Sequence, residues 1–424
     1  MPVTELPMFA ILMSLACTTD EPSVDDTVVV AGDELTFYAD VKPVLDVHCT
    51  RCHFDEGLGV GDFTDPDTVT AFAEVMLGQI DSGAMPPAVS DTECHDYRGS
   101  DQLNIDDSER KIIADWIDGG KVMGDPATDP QVVPTSGVLS DPDIVLMMPE
   151  VYTPTWSDSD NPGNEYRCFV LDPDLDEDVY FEAMAPEVDN EALVHHVVLF
   201  SENRSDISEA QWDPQGWDCI DDSGAGDGMI AGWAPGMLPV EFPAETGMKL
   251  GSNKVLVLQM HYYQSSSDEQ PDRSGYAFRT KPESEVDEEV IMFPLGIYNF
   301  NVPAGDDDYT DSDSFTNTYP VNLKIHGVFP HMHVLGQAYS ASITHADGSE
   351  TCVVEGAYDF DNQLTYQFEE DDMPVISEGD RINFSCNWNN SLSNPDLPHS
   401  EPINAGYGER TDEEMCFFFS LVSY

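Results

Sequence analysis

Five histidines in three short stretches constrain the fold of this chain more than any other feature of its sequence. The stretches are Val194-His195-His196-Val197, Gln259-Met260-His261-Tyr262 and His331-Met332-His333, and they lie within or directly after runs of strand-type residues. A fourth stretch, Glu414-Met415-Cys416, lies close to the C-terminus. A fold that uses these residues together must bring distant strands to one place.

As metal ligands, these residues form two sets, which are His195, His196 and His261 in the first, and His331, His333 and Met415 in the second. Imidazole suits several metals, whereas a thioether selects for copper, above all Cu(I). Two copper sites with different ligands indicate redox chemistry with oxygen. The chain is therefore predicted to be an enzyme.

The period of a β-strand decides which of these side chains can share a metal. His331 and His333 are two apart, so on one strand they face the same side. His195 and His196 would face opposite sides, and their joint ligation requires a bulge or twist. Gln259 shares a face with His261, which predicts a supporting role beside the first copper.

Charge narrows the possible partners. The 424 residues suffice for two or three domains, and they include 82 Asp and Glu against 16 Lys and Arg, a formal net charge of -66. Phosphate binding needs a basic footprint, so nucleic acid is excluded as a partner. Such an acidic surface is tolerated best where salt screens it.

The first residues have the character of an export signal. Residues 1–16 contain a short apolar run that ends at Cys17, and Ser14-Leu15-Ala16-Cys17 is similar to a bacterial lipoprotein signal. We expect Cys17 to be lipidated, with plain secretion as the alternative, and residues 17–33 to form an acidic tether. The expected location is the periplasm or cell surface, anchored to a bacterial membrane.

Residues 34–125 are predicted to form a small all-α cytochrome c domain. Cys49-Thr50-Arg51-Cys52-His53 is a C-x-x-C-H element, in which Cys49 and Cys52 attach haem c and His53 ligates its iron. A redox or zinc C-x-x-C would not explain His53. Helices are expected from Phe37 to Leu45, Val69 to Gln79 and Asp106 to Gly119.

The sixth ligand of the haem iron is predicted to be Met85, on the Pro-rich loop after the second helix. It resembles the distal methionine of class I c-type cytochromes. Met76 is the competitor, but it falls inside an apolar helical stretch and reads better as core.

Beyond a Pro-rich linker at 126–136, the helical period largely disappears and short strand-type runs recur between turns. These runs are Arg167 to Leu171, Ala192 to Phe200, Lys254 to Tyr263, Glu289 to Pro294, Val321 to Val328, Ser340 to Thr344 and Arg381 to Cys386. They predict two all-β antiparallel, jelly-roll-like sandwiches, at 137–302 and 303–424, so the whole chain is multidomain. The acidic stretch Val302 to Ser314 is expected to be the loop between them.

Several of these motifs together resemble the copper type II, ascorbate-dependent monooxygenases, the family of peptidylglycine α-hydroxylating and dopamine β-monooxygenases. The resemblance spans roughly Asp143 to Tyr424. The histidine stretches and Glu413-Glu414-Met415-Cys416 carry it, with Gly232-Trp233-Ala234-Pro235-Gly236, Pro330-His331-Met332-His333-Val334-Leu335-Gly336 and Cys386-Asn387-Trp388-Asn389.

The family implies one copper on each sandwich, facing across a solvent cleft. By resemblance, the first set of ligands holds an electron-transfer copper, and His331, His333 and Met415 hold the catalytic copper where O2 binds. One oxygen atom would be inserted into a C–H bond of a small-molecule substrate. The fused haem is expected to relay electrons to the first copper, and it would either replace ascorbate or be reduced by an external donor, ascorbate or a redox protein.

Nine cysteines fit an oxidising compartment, and the six outside Cys17, Cys49 and Cys52 are compatible with three disulfides. With the resemblance in view, neighbouring cysteines suggest the pairs Cys386–Cys416 and Cys168–Cys219. Cys94 and Cys352 remain unassigned.

Two departures from the peptide-amidating members bear on the substrate. Where those members grip their substrate with an arginine and a tyrosine, this chain has Phe329 and Phe419, with Phe417 nearby. This favours an apolar or aromatic substrate over peptidylglycine. The role of His326 stays open, and the alternative functions are a non-catalytic haem and copper electron-transfer protein or a cell-surface binding module.

Overall fold

A computed structural model describes residues 35–55, 57–133, 137–157, 163–219, 228–264, 270–360, 362–408, 410 and 412–424. The predicted export signal, Cys17 and the acidic tether lie outside these residues. Within the described part, no helix is long and apolar enough to cross a membrane.

The helical module comprises the first described residues up to about residue 125. After a π-helical turn at Phe37–Val41, its helices are α1 (Lys42–His48), α2 (Pro66–Ser82), α3 (Ser100–Leu103) and α4 (Asp107–Asp118). The three predicted helical stretches all fall on helical residues. Its core is apolar and contains Phe37, Leu45, Val69, Ile113 and Trp116.

Local sequence signals explain where the two longer helices begin and end. Asp65 caps α2 by accepting a hydrogen bond from the Thr68 amide, and Gly83 ends that helix in the left-handed conformation. Asp106 and Glu109 form a reciprocal capping box at the start of α4.

The rest of the described chain is almost entirely strands. They are β1 (Ile144–Met147), β2 (Asn164–Leu171), β3 (Val179–Glu187), β4 (Val194–Asn203), β5 (Trp217–Asp218), β6 (Met229–Trp233), β7 (Val240–Glu241), β8 (Thr246–Leu250), β9 (Lys254–Tyr263), β10 (Gly275–Lys281), β11 (Glu288–Gly296), β12 (Asn301–Val302), β13 (Tyr309–Thr316), β14 (Leu323–His331), β15 (Gly336–Thr344), β16 (Glu350–Ala357), β17 (Tyr366–Gln367), β18 (Val375–Ile376), β19 (Arg381–Trp388), β20 (Ala405–Gly406) and β21 (Phe417–Ser423). Short 3-10 turns lie at Pro126–Thr128, Glu209–Trp212, Glu283–Glu285 and Glu370–Asp372.

One long sheet runs through both sandwiches. Its order is β1-β10-β3-β8-β11-β21-β14-β17, with β7 beside β3 and β18 beside β14, and β12 pairs only with β20. A five-stranded sheet, β5-β2-β9-β4-β6, belongs to the first sandwich, and a four-stranded sheet, β13-β19-β15-β16, belongs to the second. The pairs are antiparallel except β8 with β11, where the long sheet passes from one sandwich to the other.

The predicted β-sandwich content is confirmed, and each of the seven predicted runs overlaps a strand. One expectation was only partly right, because residues 309–314 of the acidic stretch expected to be a loop belong to β13, paired with β19. Much of β13 is solvent-exposed, and it lies at the edge of its sheet. Its acidic residues therefore keep their hydration although the backbone is a strand.

A segment between α2 and α4 leaves the helical module and lies on the sandwiches. We call residues 88–104 the strap. Cys94 forms a disulfide with Cys352 on β16, and Tyr97 is buried in the core of the second sandwich. The Arg98 guanidinium pairs with Glu241 on β7 at 2.7 Å. The strap therefore fastens the helical module to both sandwiches.

Candidate metal centre

Strand register brings the first three histidines together. In the antiparallel pair of β4 and β9, His196 lies directly opposite His261. The register shifts between Val194 and His196, which leaves His195 as the extra residue of a bulge. The bulge that the consecutive histidines require is therefore present, and it lets both side chains face the same point.

Three ring nitrogens converge at that point. The Nδ1 atom of His195 lies 3.3 Å from that of His196 and 3.2 Å from that of His261, and the last two are 3.2 Å apart. An equilateral triangle of side 3.2 Å has its centre about 1.9 Å from each corner, close to an imidazole–metal bond of about 2.0 Å. The three side chains thus fit one metal ion bound through Nδ1.

These imidazoles are held neutral, as metal ligation requires. Burial lowers the pKa of His195 to about 4. Burial also lowers the pKa of His196 and of His261 well below the ordinary value. Three nitrogens this close could not all carry protons, and a bound cation would relieve the repulsion between their lone pairs.

Asn164 and Tyr166, both on β2, orient His261. The Nε2 atom of His261 lies 2.7 Å from the Oδ1 atom of Asn164, so Nε2 carries the proton and leaves Nδ1 free to ligate. The Tyr166 ring stacks on the imidazole at 4.2 Å between ring centroids. The predicted partner, Gln259, instead directs its amide to the carbonyl oxygen of Cys219, at 3.4 Å. Gln259 faces the disulfide, and Asn164 is the supporting residue that the sequence pattern missed.

The second pair of histidines lies where β14 ends. The rings of His331 and His333 are 5.2 Å apart between centroids. The Nδ1 atom of His331 lies 2.7 Å from the Oε1 atom of Gln363, and that of His333 lies 3.1 Å from the carbonyl oxygen of Glu413. With Nδ1 hydrogen-bonded to Gln363, the Nε2 atom of His331 is left to ligate, whereas His333 also contacts the backbone of Arg410. Burial lowers the pKa of His331, and that of His333 to about 3.

A buried carboxylate connects the Met415 segment to this pair. Glu414 accepts hydrogen bonds from the backbone amides of His333, Leu335 and Met415 and from the Trp388 indole, at 2.7–3.2 Å. Burial raises the pKa of Glu414 to about 7. The Cys386–Cys416 disulfide fastens the other side of Met415. The half-buried Met415 therefore lies between two anchored neighbours, one of which bonds the backbone of His333.

The two histidine clusters are within electrostatic reach of each other. His331 contributes, after burial and His195, to the lowering of the His196 pKa. Protonation in one cluster therefore disfavours protonation in the other.

Aromatic side chains surround His331. Phe329 stacks beside it with centroids 6.0 Å apart, and Phe419 lies 6.2 Å away. Phe329 is only 4% exposed and packs against Gly232, so it is core at the junction of the sandwiches. Phe419 is half-buried and, of these two phenylalanines, the more accessible to a ligand.

The cysteines of the C-x-x-C-H motif differ from the other described cysteines. Cys49 and Cys52 are free thiols, whereas the remaining six form Cys94–Cys352, Cys168–Cys219 and Cys386–Cys416. The two predicted disulfides are confirmed, and the third joins the two cysteines without an assignment. Its strap-to-sandwich contact left no local signal in the sequence.

His53 and the two candidate methionines have distinct environments. The Nδ1 atom of His53 lies 3.1 Å from the carbonyl oxygen of Val60, and its ring stacks on Phe63 at 4.4 Å. Met76 belongs to the module core, while Met85 is 42% exposed beyond the end of α2. The two free thiols and His53 are the residue types that covalent haem attachment would use.

His326, whose role stayed open, lies in a buried network away from both clusters. Its Nε2 atom is 2.8 Å from the Ser423 hydroxyl, which donates in turn to Glu288 at 2.8 Å. A structural role in the long sheet accounts for these contacts.

Residues 149–269 match the family model of the copper type II ascorbate-dependent monooxygenase, N-terminal domain. That segment contains His195, His196 and His261. Peptidyl-glycine alpha-amidating monooxygenase A of Xenopus laevis is 26% identical over 206 residues, which cover 47% of this chain and 20% of that protein. DBH-like monooxygenase protein 2 of Mus musculus is 27% identical over 259 residues, 54% of this chain and 38% of that protein.

These comparisons support the family resemblance. The chain spans only 20% to 38% of the length of these two relatives. Among solved structures, that of infectious bursal virus derived T=1 particles has a TM-score of 0.17 and 9% identity, covering 70% of this chain and 79% of that one. Similarity at that level carries no argument about the fold.

Proposed function

We propose that this chain is a copper-dependent monooxygenase that uses O2 to hydroxylate a C–H bond of a small apolar or aromatic substrate. We further propose that a c-type haem on the helical module relays electrons to the first copper. The observation that carries the proposal is the convergence of three neutral Nδ1 atoms, 3.2–3.3 Å apart, in the segment that matches the family model.

Each cluster would hold one copper ion. His195, His196 and His261 would bind the first through Nδ1. His331 and His333, through Nε2, and the Met415 thioether would bind the second. Bound copper supplies the one-electron redox chemistry that O2 reduction needs, and the thioether favours Cu(I). The protein's part is to keep the imidazoles deprotonated and oriented through Asn164, Gln363 and Glu414.

The surroundings of the second cluster favour an apolar substrate. Phe419 stacks on Phe417 at 5.3 Å, and Phe417 contacts Tyr298 at 5.2 Å. Tyr298 is mostly exposed, so this aromatic row leads from solvent towards His331. A planar or apolar molecule can lie along it by stacking, whereas positions 329 and 419 offer no cation to bind a carboxylate.

The haem proposal rests on the two free thiols, on His53 and on how the module is fastened. Cys49 and Cys52 would form the thioethers, His53 would ligate the iron through Nε2, and Met85 would be the sixth ligand. The strap and its disulfide hold the module against the sandwiches. A module held in place delivers electrons without a diffusional encounter.

Further parts of the proposal concern partners and location. Ascorbate or a redox protein would supply electrons from outside. The sequence around Cys17 supports export and lipid attachment, with the protein in the periplasm or at the cell surface of a bacterium.

The test is metal content together with EPR spectroscopy on protein matured with haem and loaded with copper. We expect two magnetically uncoupled type 2 Cu(II) signals per haem. Met415→Ala should leave the reduced protein unreactive with O2, while Met373→Ala, another half-buried methionine of the same sandwich, should react normally. One copper or none per chain would refute the monooxygenase and leave a cytochrome fused to a binding scaffold.

A further inference from the structure

A cleft separates the helical module from the first sandwich. Arg51, Cys52 and Phe54 line one side, and Trp233, Pro235 and Gly236 line the other. Its open space, solvent included, is about 1000 Å³. Both motifs that carry the resemblances, C-x-x-C-H and Gly-Trp-Ala-Pro-Gly, therefore face the same space.

Arg51 is an unusual cation in this cleft. Its Nη1 atom is buried and has no hydrogen-bond partner. The ionisable groups that affect it electrostatically are Cys52, Cys49 and Tyr97, and none of them is a carboxylate. By contrast, Arg98, Arg110 and Arg279 each pair with an acidic side chain.

In so acidic a chain, a guanidinium whose buried Nη1 atom has no partner, and that pairs with no carboxylate of the described residues, calls for a counter-ion from elsewhere. Glu187 and Glu191 also line the cleft, but they are not among the groups that act on Arg51. The backbone packs closely around it, since a Cβ at Gly236 would lie 2.7 Å from Nη1. The guanidinium is thus held in place without a partner.

We propose that this cleft binds a small organic anion, a carboxylate or an enediolate, through Arg51. This anion site would provide electrons to the proposed haem relay, so its role rests on that proposed function. Cys52, the expected haem attachment, lies on one wall, and Trp233 lies on the other. Trp233 pairs across the sheet with Val197, the residue after His196. An anionic reductant bound here would lie between the haem and the first copper site.

The same anionic chemistry has two sources, a propionate of the bound haem or a free organic anion. Ascorbate, a monoanionic enediolate, is the probe that separates them. Calorimetric titration uses the full chain, loaded with haem and copper and fully reduced beforehand, so that binding is measured without electron transfer. The haem midpoint potential is measured on the same samples.

If the anion is free, one ascorbate binds per chain. Arg51→Gln then raises the Kd for ascorbate at least tenfold and leaves the haem midpoint potential unchanged. Glu187→Gln should tighten binding, because it removes a negative charge from the cleft. If the anion is the haem propionate, ascorbate does not bind, and Arg51→Gln lowers the midpoint potential. Either result supports an anion on Arg51.

Arg110→Gln is the matched control, since it removes the same charge from the same module at a surface pair with Asp81. The proposal is overturned if Arg51→Gln behaves like Arg110→Gln in both measurements. If Arg51→Gln does not fold, Arg51→Lys replaces it, because Lys keeps the charge but loses the two-pronged guanidinium geometry. Weaker ascorbate binding or a changed midpoint potential then supports the proposal, and no change in either measurement overturns it. A chain without a haem absorption band would refute the relay instead, while the titration still tests the anion site.

Discussion

The two histidine clusters differ in how the fold supports them. The first lies in the middle of the paired strands β4 and β9, where the register alone places His196 opposite His261. The second lies at the end of β14 and depends on the segment around Met415, which holds its position through the Glu414 carboxylate and a disulfide. The first cluster lies within a ladder of backbone hydrogen bonds, whereas in the second only His331 lies on a strand, and His333 and Met415 depend on buried side chains beyond it.

The contrast teaches where each cluster is vulnerable. The first should keep its three ligands assembled when a neighbouring side chain is lost, because the strands remain paired without it. The second should weaken when its anchor is lost, because the β14–β21 ladder that pairs His331 with Phe417 ends two residues short of Met415.

The largest effect is expected from Glu414→Ala. It leaves four buried donors without an acceptor, at about 1–3 kcal/mol each, so the free energy of unfolding should fall by about 4 kcal/mol or more. Copper binding should be lost at the second cluster and kept at the first. Denaturant unfolding and copper stoichiometry measure the two effects.

Glu414→Gln is the graded control for that change. The amide keeps one acceptor oxygen, so about 2 kcal/mol should be lost and part of the second-site copper retained. Equal loss of copper from both clusters would contradict the difference in support.

The pH dependence of the metal-free protein should also separate the clusters. Histidines that are neutral when folded bind protons on unfolding below about pH 6.5, so stability falls as the pH drops from 6.5 towards the folded pKa of His195, about 4. His333, with a pKa of about 3, contributes on the order of 3 kcal/mol in the same direction. Glu414 has the opposite sign, because its pKa is raised from 4.5 to about 7, and its contribution is lost as the pH rises through that window.

Thermal unfolding midpoints between pH 4.5 and 7 test these signs. His261→Gln should flatten the acid loss of stability, and Glu414→Gln should steepen it by removing the opposing contribution. The assigned pKa contributions are contradicted if both variants shift the curve of unfolding midpoint against pH without changing its slope.

A matched pair of supporting residues gives the next effect. Asn164→Ala should weaken copper binding about 10–100-fold at the first cluster, and Gln363→Ala should do so at the second, because each orients one ligand imidazole. Competitive copper titration followed by EPR resolves the two sites. A change at the wrong site in either variant would contradict the assigned contacts.

The smallest effect is expected at Gln259. Its amide reaches the carbonyl oxygen of Cys219 rather than a histidine. Gln259→Ala should therefore change copper affinity less than about twofold and stability by about 1 kcal/mol. A tenfold loss of copper affinity at the first cluster would instead support the role beside the first copper that the strand pattern predicted for Gln259.

Local patterns in the sequence sufficed where period and spacing carry the information. The two-residue period placed the seven strands, and the adjacent His195 and His196 predicted the bulge that the structure shows. The neighbouring cysteines, with the family motifs, predicted two disulfides. Strand period also misled at Gln259, because sharing a face with His261 does not decide which neighbour a long side chain reaches.

The sequence by itself determined the ligand chemistry, since residue type, strand period and order along the chain are all local properties. Only the tertiary structure decided what supports those ligands. Asn164 and Gln363 lie 97 and 32 residues from the imidazoles that they contact, and the strap disulfide joins residues 258 apart. The unpaired Arg51 was likewise visible only in the fold. A hydrogen bond or a missing ion pair depends on which distant segments come into contact in the folded chain. The local pattern of residues along the sequence does not specify those contacts.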